Sequence, residues 1–89
     1  MLLADVTGQV VATAKHADLV GLPLLLVRPV APDGRVSGPD MMAVDSVGAG
    51  TGERVLVVVE GRSAGEAVRL AAAPLDAAIV GIVDRIDPA

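Results

Sequence analysis

The chain has 89 residues; 53% are apolar, yet Phe, Tyr, Trp and Cys are all absent and there is a single His. Seven basic residues against eleven acidic ones leave a net charge of −4. These counts describe one small domain without disulfides, a thiolate nucleophile, a cysteine-based zinc or iron–sulfur site, a multi-histidine metal centre or a surface on which bases could stack, and its acidity repels a phosphate backbone.

In chain order, Leu3 to Thr13 is rich in β-branched residues and reads as a first strand, with Gly8 marking a bulge or a close backbone approach. Lys15-His16-Ala17-Asp18 is a polar connector closed by Gly21. Leu22 to Val30 is a second strand, and Pro23 and Pro29 belong at its ends or on an edge because they donate no ladder hydrogen bond. Ala31-Pro32-Asp33-Gly34 is a turn, extended by Gly38-Pro39. Met41 to Asp45 is a short third strand, followed by the glycine-rich loop Ser46-Val47-Gly48-Ala49-Gly50-Thr51-Gly52. Arg54 to Glu60 is the fourth strand. Ser63 and Glu66 have capping-box spacing for a short helix over Ala64 to Ala72, which Pro74 stops. Ala77 to Ile86 reads as a long last strand, apolar on both faces, before a short tail. Five strands with one helix before the last form a mainly β domain spanning residues 1–89, and a partly open barrel closes it with the fewest free edges.

A chain of this size buries only about 60% of its unfolded surface. More than half of its residues are apolar, which is more aliphatic surface than a monomer hides, so a homo-oligomer is expected. A membrane is not the expected refuge. The longest apolar runs, Leu22–Val27 and Ala77–Val83, fall far short of the roughly 18–20 residues of a spanning helix. Met1-Leu2-Leu3 is followed within two residues by Asp5, with no basic flank, so a secretory leader is not expected either.

No catalytic constellation emerges. Gly48-x-Gly50-x-Gly52 leads into Glu53-Arg54 and a strand, whereas a Walker loop ends in Gly-Lys-Ser/Thr and a dinucleotide fingerprint opens a helix. The loop reads instead as a tight, crowded segment suited to a symmetry axis. Ser63 is accounted for as a cap and His16 as a solvated loop residue, without triad spacing. Asp33, Asp40 and Asp45 lack the spacing of a calcium loop. Asp45 and Glu53 flank the glycine loop and are read as accepting hydrogen bonds from its amides or pairing with Arg54, while Asp76 and Asp84 read as a cap and a solvated strand end. Neither an enzyme, a cofactor nor a metal is expected. One open reading is a small, oligomeric, cytoplasmic regulatory or ligand-binding domain with an interface pocket lined by Arg28, Arg54 and Asp45.

Four ordered stretches point further. They are Val6-x-Gly8-x-Val10-Val11-Ala12-Thr13-x-Lys15, Gly21-Leu22-x-Leu24-Leu25-Leu26-Val27-x-Pro29, Ala43-Val44-Asp45-Ser46-Val47-Gly48-Ala49-Gly50-x-Gly52-Glu53-x-Val55-Leu56 and Asp76-Ala77-Ala78-Ile79-Val80-Gly81-Ile82-Val83-Asp84. Together they cover nearly the whole chain, which resembles the bacterial microcompartment vertex proteins of the ethanolamine-utilisation and carboxysome type. The resemblance implies an oligonucleotide-binding-like barrel assembled as a cyclic homopentamer. It implies a structural protein of the cytoplasm that caps the vertices of an icosahedral shell beside hexameric shell proteins, with no nucleic-acid or membrane partner. Ser46 to Gly52 would line the fivefold axis, with Gly61-Arg62-Ser63-Ala64 as the competing segment. Asp45, Glu53, Arg54, Arg62 and Arg69 are the charged residues expected at subunit contacts. The chain departs from the family where Gly65 stands in place of a common arginine, a role open to Arg62 or Arg69. It departs again at Asp5, where a basic or neutral residue is commoner, and its short tail predicts no long arm onto a neighbour.

Overall fold

A computed structural model of the chain describes residues 1–11, 23–59 and 77–88. They form five strands: β1 (Leu2–Val10), β2 (Leu24–Pro29), β3 (Met41–Asp45), β4 (Arg54–Val58) and β5 (Ala78–Ile82). The strands close into a barrel in the order β1-β2-β3-β5-β4. All neighbours are antiparallel except β3 and β5, which run parallel. The expected helix over 64–72 with its Ser63 cap, the connector around His16, and Arg62, Arg69 and Asp76 lie outside the described residues.

Strand periodicity places every second side chain inside. Ala4 and Val6 of β1, Leu25 and Val27 of β2, Ala43 of β3, Val55 and Val57 of β4 and Ile79 of β5 fill the bore, each at most 5% exposed. Barrel diameter grows with strand number, so five strands leave a bore filled by valine and alanine. The composition without aromatics matches that narrow interior.

Two bulges bend the wall. The β1–β2 register shifts between Val6 and Gly8, leaving Thr7 as the extra residue, as Gly8 led one to expect. The Thr7 hydroxyl donates to the Leu26 carbonyl at 3.2 Å. The β4–β5 register shifts where Leu56 faces Gly81 and Val57 faces Ile79. Pro29 ends β2 and Pro23 precedes it, with the Pro23 carbonyl accepting from the Asp45 amide at 2.9 Å. The turn at Ala31–Arg35 is closed by the Gly34 amide on Ala31 O and by the Asp33 carboxylate on the Arg35 amide.

Three strands stop two or more residues short of expectation, and partner length explains each. β5 stops at Ile82 rather than Ile86, because β4 begins at Arg54 and the Val83 amide on Arg54 O, at 2.8 Å, is the last rung. Beyond it, Asp84 to Pro88 are exposed. β1 stops at Val10 because its partner begins there, at Leu24, and Val11 is exposed. β4 ends at Val58 rather than Glu60, opposite Ala78 where β5 begins.

Candidate functional site

The glycine loop Ser46–Gly52 carries the chain from β3 to β4, two strands that do not pair with each other, and so crosses the end of the barrel. The loop is held by its own flanks. Asp45 is 5% exposed, and its two carboxylate oxygens accept from the amides of Val47 at 3.0 Å and Ala49 at 2.9 Å. Glu53 Oε1 accepts from the Gly50 amide at 2.6 Å, while the Glu53 amide donates back to Gly50 O. The Ser46 hydroxyl donates to the Ile79 carbonyl at 3.0 Å, tying the loop to β5. The Gly52 amide donates to Val6 O and the Val6 amide to Glu53 O, stitching the far end to β1.

Gly48 and Gly52 have φ of 79° and 91°, a left-handed backbone that side chains disfavour, so the loop's course depends on glycine at both. Ala49 is its one inward residue and packs against the core. Ser46, Val47, Gly48, Gly50, Thr51 and Gly52 are exposed. The loop is thus a pinned cap over one end of the barrel, presenting small residues outward.

The charged residues named from sequence divide between two places. Asp45 and Glu53 take the first of their two expected roles, holding loop amides. Arg54 instead forks onto Asp5, with Nε–Oδ1 at 2.8 Å and a second hydrogen bond at 3.2 Å. Asp5 is in register with Arg54 on one side and Arg28 on the other, and Arg28 binds Asp40 at 2.9 Å. A row of alternating charge, Arg54–Asp5–Arg28–Asp40, therefore crosses the outer wall from β4 to the start of β3. Arg28 and Arg54 come together across Asp5, but Asp45, at the far end of β3, does not join them. A groove of about 410 Å³ beside the row is lined by Asp5, Arg54, Asp84, Arg85, Pro32 and Ile86, among others. Asp33, Asp40 and Asp45 each serve a different partner, and no acidic or histidine cluster of metal-binding type occurs among the described residues.

The row is invisible to sequence reasoning because its members are brought together by register. Its energetics follow from geometry. Hydrogen bonds from Arg54 hold the Asp5 carboxyl below the usual carboxylate range, opposed by partial burial and aided by the charges of Arg54 and Arg28. A carboxyl whose pKa is depressed by folding stabilises the fold above its unfolded pKa, and that contribution is lost as pH falls through its folded pKa. Asp5→Asn is expected to lower the melting temperature by about 2–5 °C at neutral pH, the scale of a partly exposed bidentate pair. Melts repeated at decreasing pH should show the gap between variant and parent closing below about pH 4. A gap independent of pH would contradict the assignment.

The sequence profile described as "Ethanolamine utilisation protein EutN/carboxysome" matches residues 1–84. The bacterial microcompartment shell vertex protein EutN of Escherichia coli (strain K12) is 44% identical over 86 residues, which cover 97% of this chain and 90% of that protein. The shell vertex protein PduN of Salmonella typhimurium (strain LT2) is 48% identical over 90 residues, covering 97% and 98%. Among solved structures, the GrpN pentameric microcompartment shell protein from Rhodospirillum rubrum superposes with a TM-score of 0.84 at 39% identity, covering 100% of this chain and 99% of that one. With a match of this extent to the profile and a barrel of the same shape, the chain belongs to the EutN/carboxysome family of ethanolamine-utilisation and carboxysome proteins.

Proposed function

We propose that this chain is a structural vertex protein of a bacterial microcompartment shell, a non-enzymatic part of a cytoplasmic particle, and that it works as a homopentamer. The observation that carries the reading is end-to-end likeness, in sequence and in backbone, to proteins named as shell vertex proteins and as a pentameric shell protein. The aliphatic surplus agrees with it, because Met42, Val36, Val47 and Ile82 remain exposed on the single chain. The whole chain acts as a single vertex domain. Its barrel is of the oligonucleotide-binding-like kind with a short helix before the last strand, and its outer partners are hexameric shell proteins.

In this reading the Ser46–Gly52 loop lines the fivefold axis. The support is its form: a cap across one barrel end, pinned by Asp45 and Glu53, with small exposed residues that let five copies approach closely. Asp45 and Glu53 contribute by shaping the loop, Arg54 lies on the wall beside it, and Arg62 and Arg69 remain candidates for subunit contacts.

Native mass spectrometry of the full chain tests the reading. A particle of five times the 8.9 kDa chain is expected, and because its contacts are aliphatic it should survive raised salt. A stable monomer or dimer at micromolar concentration would sink the proposal.

A further inference from the structure

Two glycines inside strands each flank a bulge, yet nothing among the described residues requires glycine at either place. Gly8 lies in β1 and Gly81 in β5, and neither has a positive φ. Among the described residues, a Cβ added at Gly8 meets nothing within 4 Å, and one added at Gly81 meets only Leu56 Cδ1, at an ordinary 3.9 Å. A glycine in mid-strand weakens the strand and leaves nothing to pack, so a residue with a side chain would serve the isolated barrel better at both places. A bulge calls for glycine where its backbone is left-handed, which neither residue adopts, so the close approach of something from outside is the reason left for glycine here.

The surroundings of the two hollows match. Gly81 pairs in register with Leu56, and Leu56 pairs with Leu3, giving an outward row across β5, β4 and β1. Gly8 pairs with Leu26, and Leu26 pairs with Met42, giving a second outward row across β1, β2 and β3. Met42 projects from that second row at 60% exposed. The charged row between them is satisfied internally, Arg54 by Asp5 and Arg28 by Asp40, so it sets no unpaired charge against an apolar partner.

We propose that these two faces are the two halves of the contact between neighbouring copies of this chain, with Met42 of one copy seated against the Gly81 hollow of the next. The faces are different surfaces that share only β1, so the contact is head to tail, the type that closes into a ring. A second copy is the occupant because one face offers a protruding side chain and the other a hollow, and because the GrpN structure, alike over the whole chain, is pentameric. The inference rests on the pentameric reading and adds the residues that make the contact.

The test uses the full chain with Gly81→Val, Gly8→Val and Met42→Ser, each followed by native mass spectrometry over a dilution series and by far-ultraviolet circular dichroism. The circular dichroism should keep its β signature, since Cβ-branched residues suit strands and both sites have room. Ring dissociation should move to concentrations at least about tenfold higher for each variant. Met42→Ser adds no bulk, so it reads the contact even where a valine variant fails to fold. Gly81→Ala and Gly8→Ala should likewise keep the barrel while weakening the ring. If the parent is pentameric and Met42→Ser and the alanine variants dissociate as it does, the assignment of these faces is overturned while the pentameric reading stands. If the parent itself is not pentameric, the underlying reading fails and this inference with it.

Discussion

Ile79→Ala is expected to cost each barrel about 3–5 kcal/mol, the upper part of the range for truncating a buried isoleucine. Ile79 heads the fully buried side chains by size, at 0% exposed, and sits where the parallel β3–β5 pair meets the antiparallel β4–β5 pair, opposite Asp45 and Val57. The cost of such a truncation depends on how far the neighbours can collapse into the space. Here they collapse poorly. Val6, Val27, Val55 and Val57 are restricted at χ1 by their β-branch, and Ala4, Ala43 and Ala77 have no reach at all. The chain has no aromatic residue to swing inward, and its one methionine packed against this core, Met41, is only partly buried at the margin. At fixed protein concentration the melting temperature should fall by more than about 12 °C, whereas Ile79→Val should cost only about 1 kcal/mol. An alanine variant that melts within a few degrees of the parent would mean that Ile79 is not the keystone of this core.

How far the sequence foretells these features depends on the distance over which each is determined. Local patterns were legible. β3 occupies Met41–Asp45 as expected, the Pro32–Gly34 turn closes as its residues require, and Asp45 and Glu53 take amides of the loop they flank. The run Ala77 to Ile86 misled because a stretch apolar on both faces carries no mark of where its partner ends; the end of β5 is set by the start of β4. The charged row shows the same limit more sharply. Arg54 and Asp5 are 49 positions apart and meet only through the β1–β4 register, so Arg54 was read as a partner for its neighbours in sequence. Asp5, noted as a departure from the family's habit, turns out to be the centre of that row. Family membership was legible for the opposite reason: the stretch from Ala43 to Leu56 contains the loop together with both carboxylates that hold it.

Those carboxylates are not equivalent, and the buried one should dominate. Asp45→Ala is expected to cost about 3 kcal/mol, because it strips acceptors from two amides at once and unsatisfied buried donors cost about 1–3 kcal/mol each. The two amides will not suffer alike. Val47 is 37% exposed, so water can reach its amide, whereas Ala49 is packed against the core and its amide has little access to a substitute. Asp45→Asn should be nearly as costly as alanine. The side-chain amide retains one acceptor oxygen but must turn its NH2 group toward the second backbone N–H, placing donor against donor. The far half of the loop keeps its ties, from Gly50 to Glu53 and from Gly52 to Val6, so the barrel should still fold. The damage should fall on Ser46–Ala49. Both variants should therefore melt about 10 °C or more below the parent while retaining its β circular dichroism, and their rings should dissociate at lower dilution if this loop lines the axis. Asparagine tolerated at no cost would show that the second hydrogen bond contributes nothing, and alanine tolerated at no cost would remove Asp45 from its role as the loop's anchor.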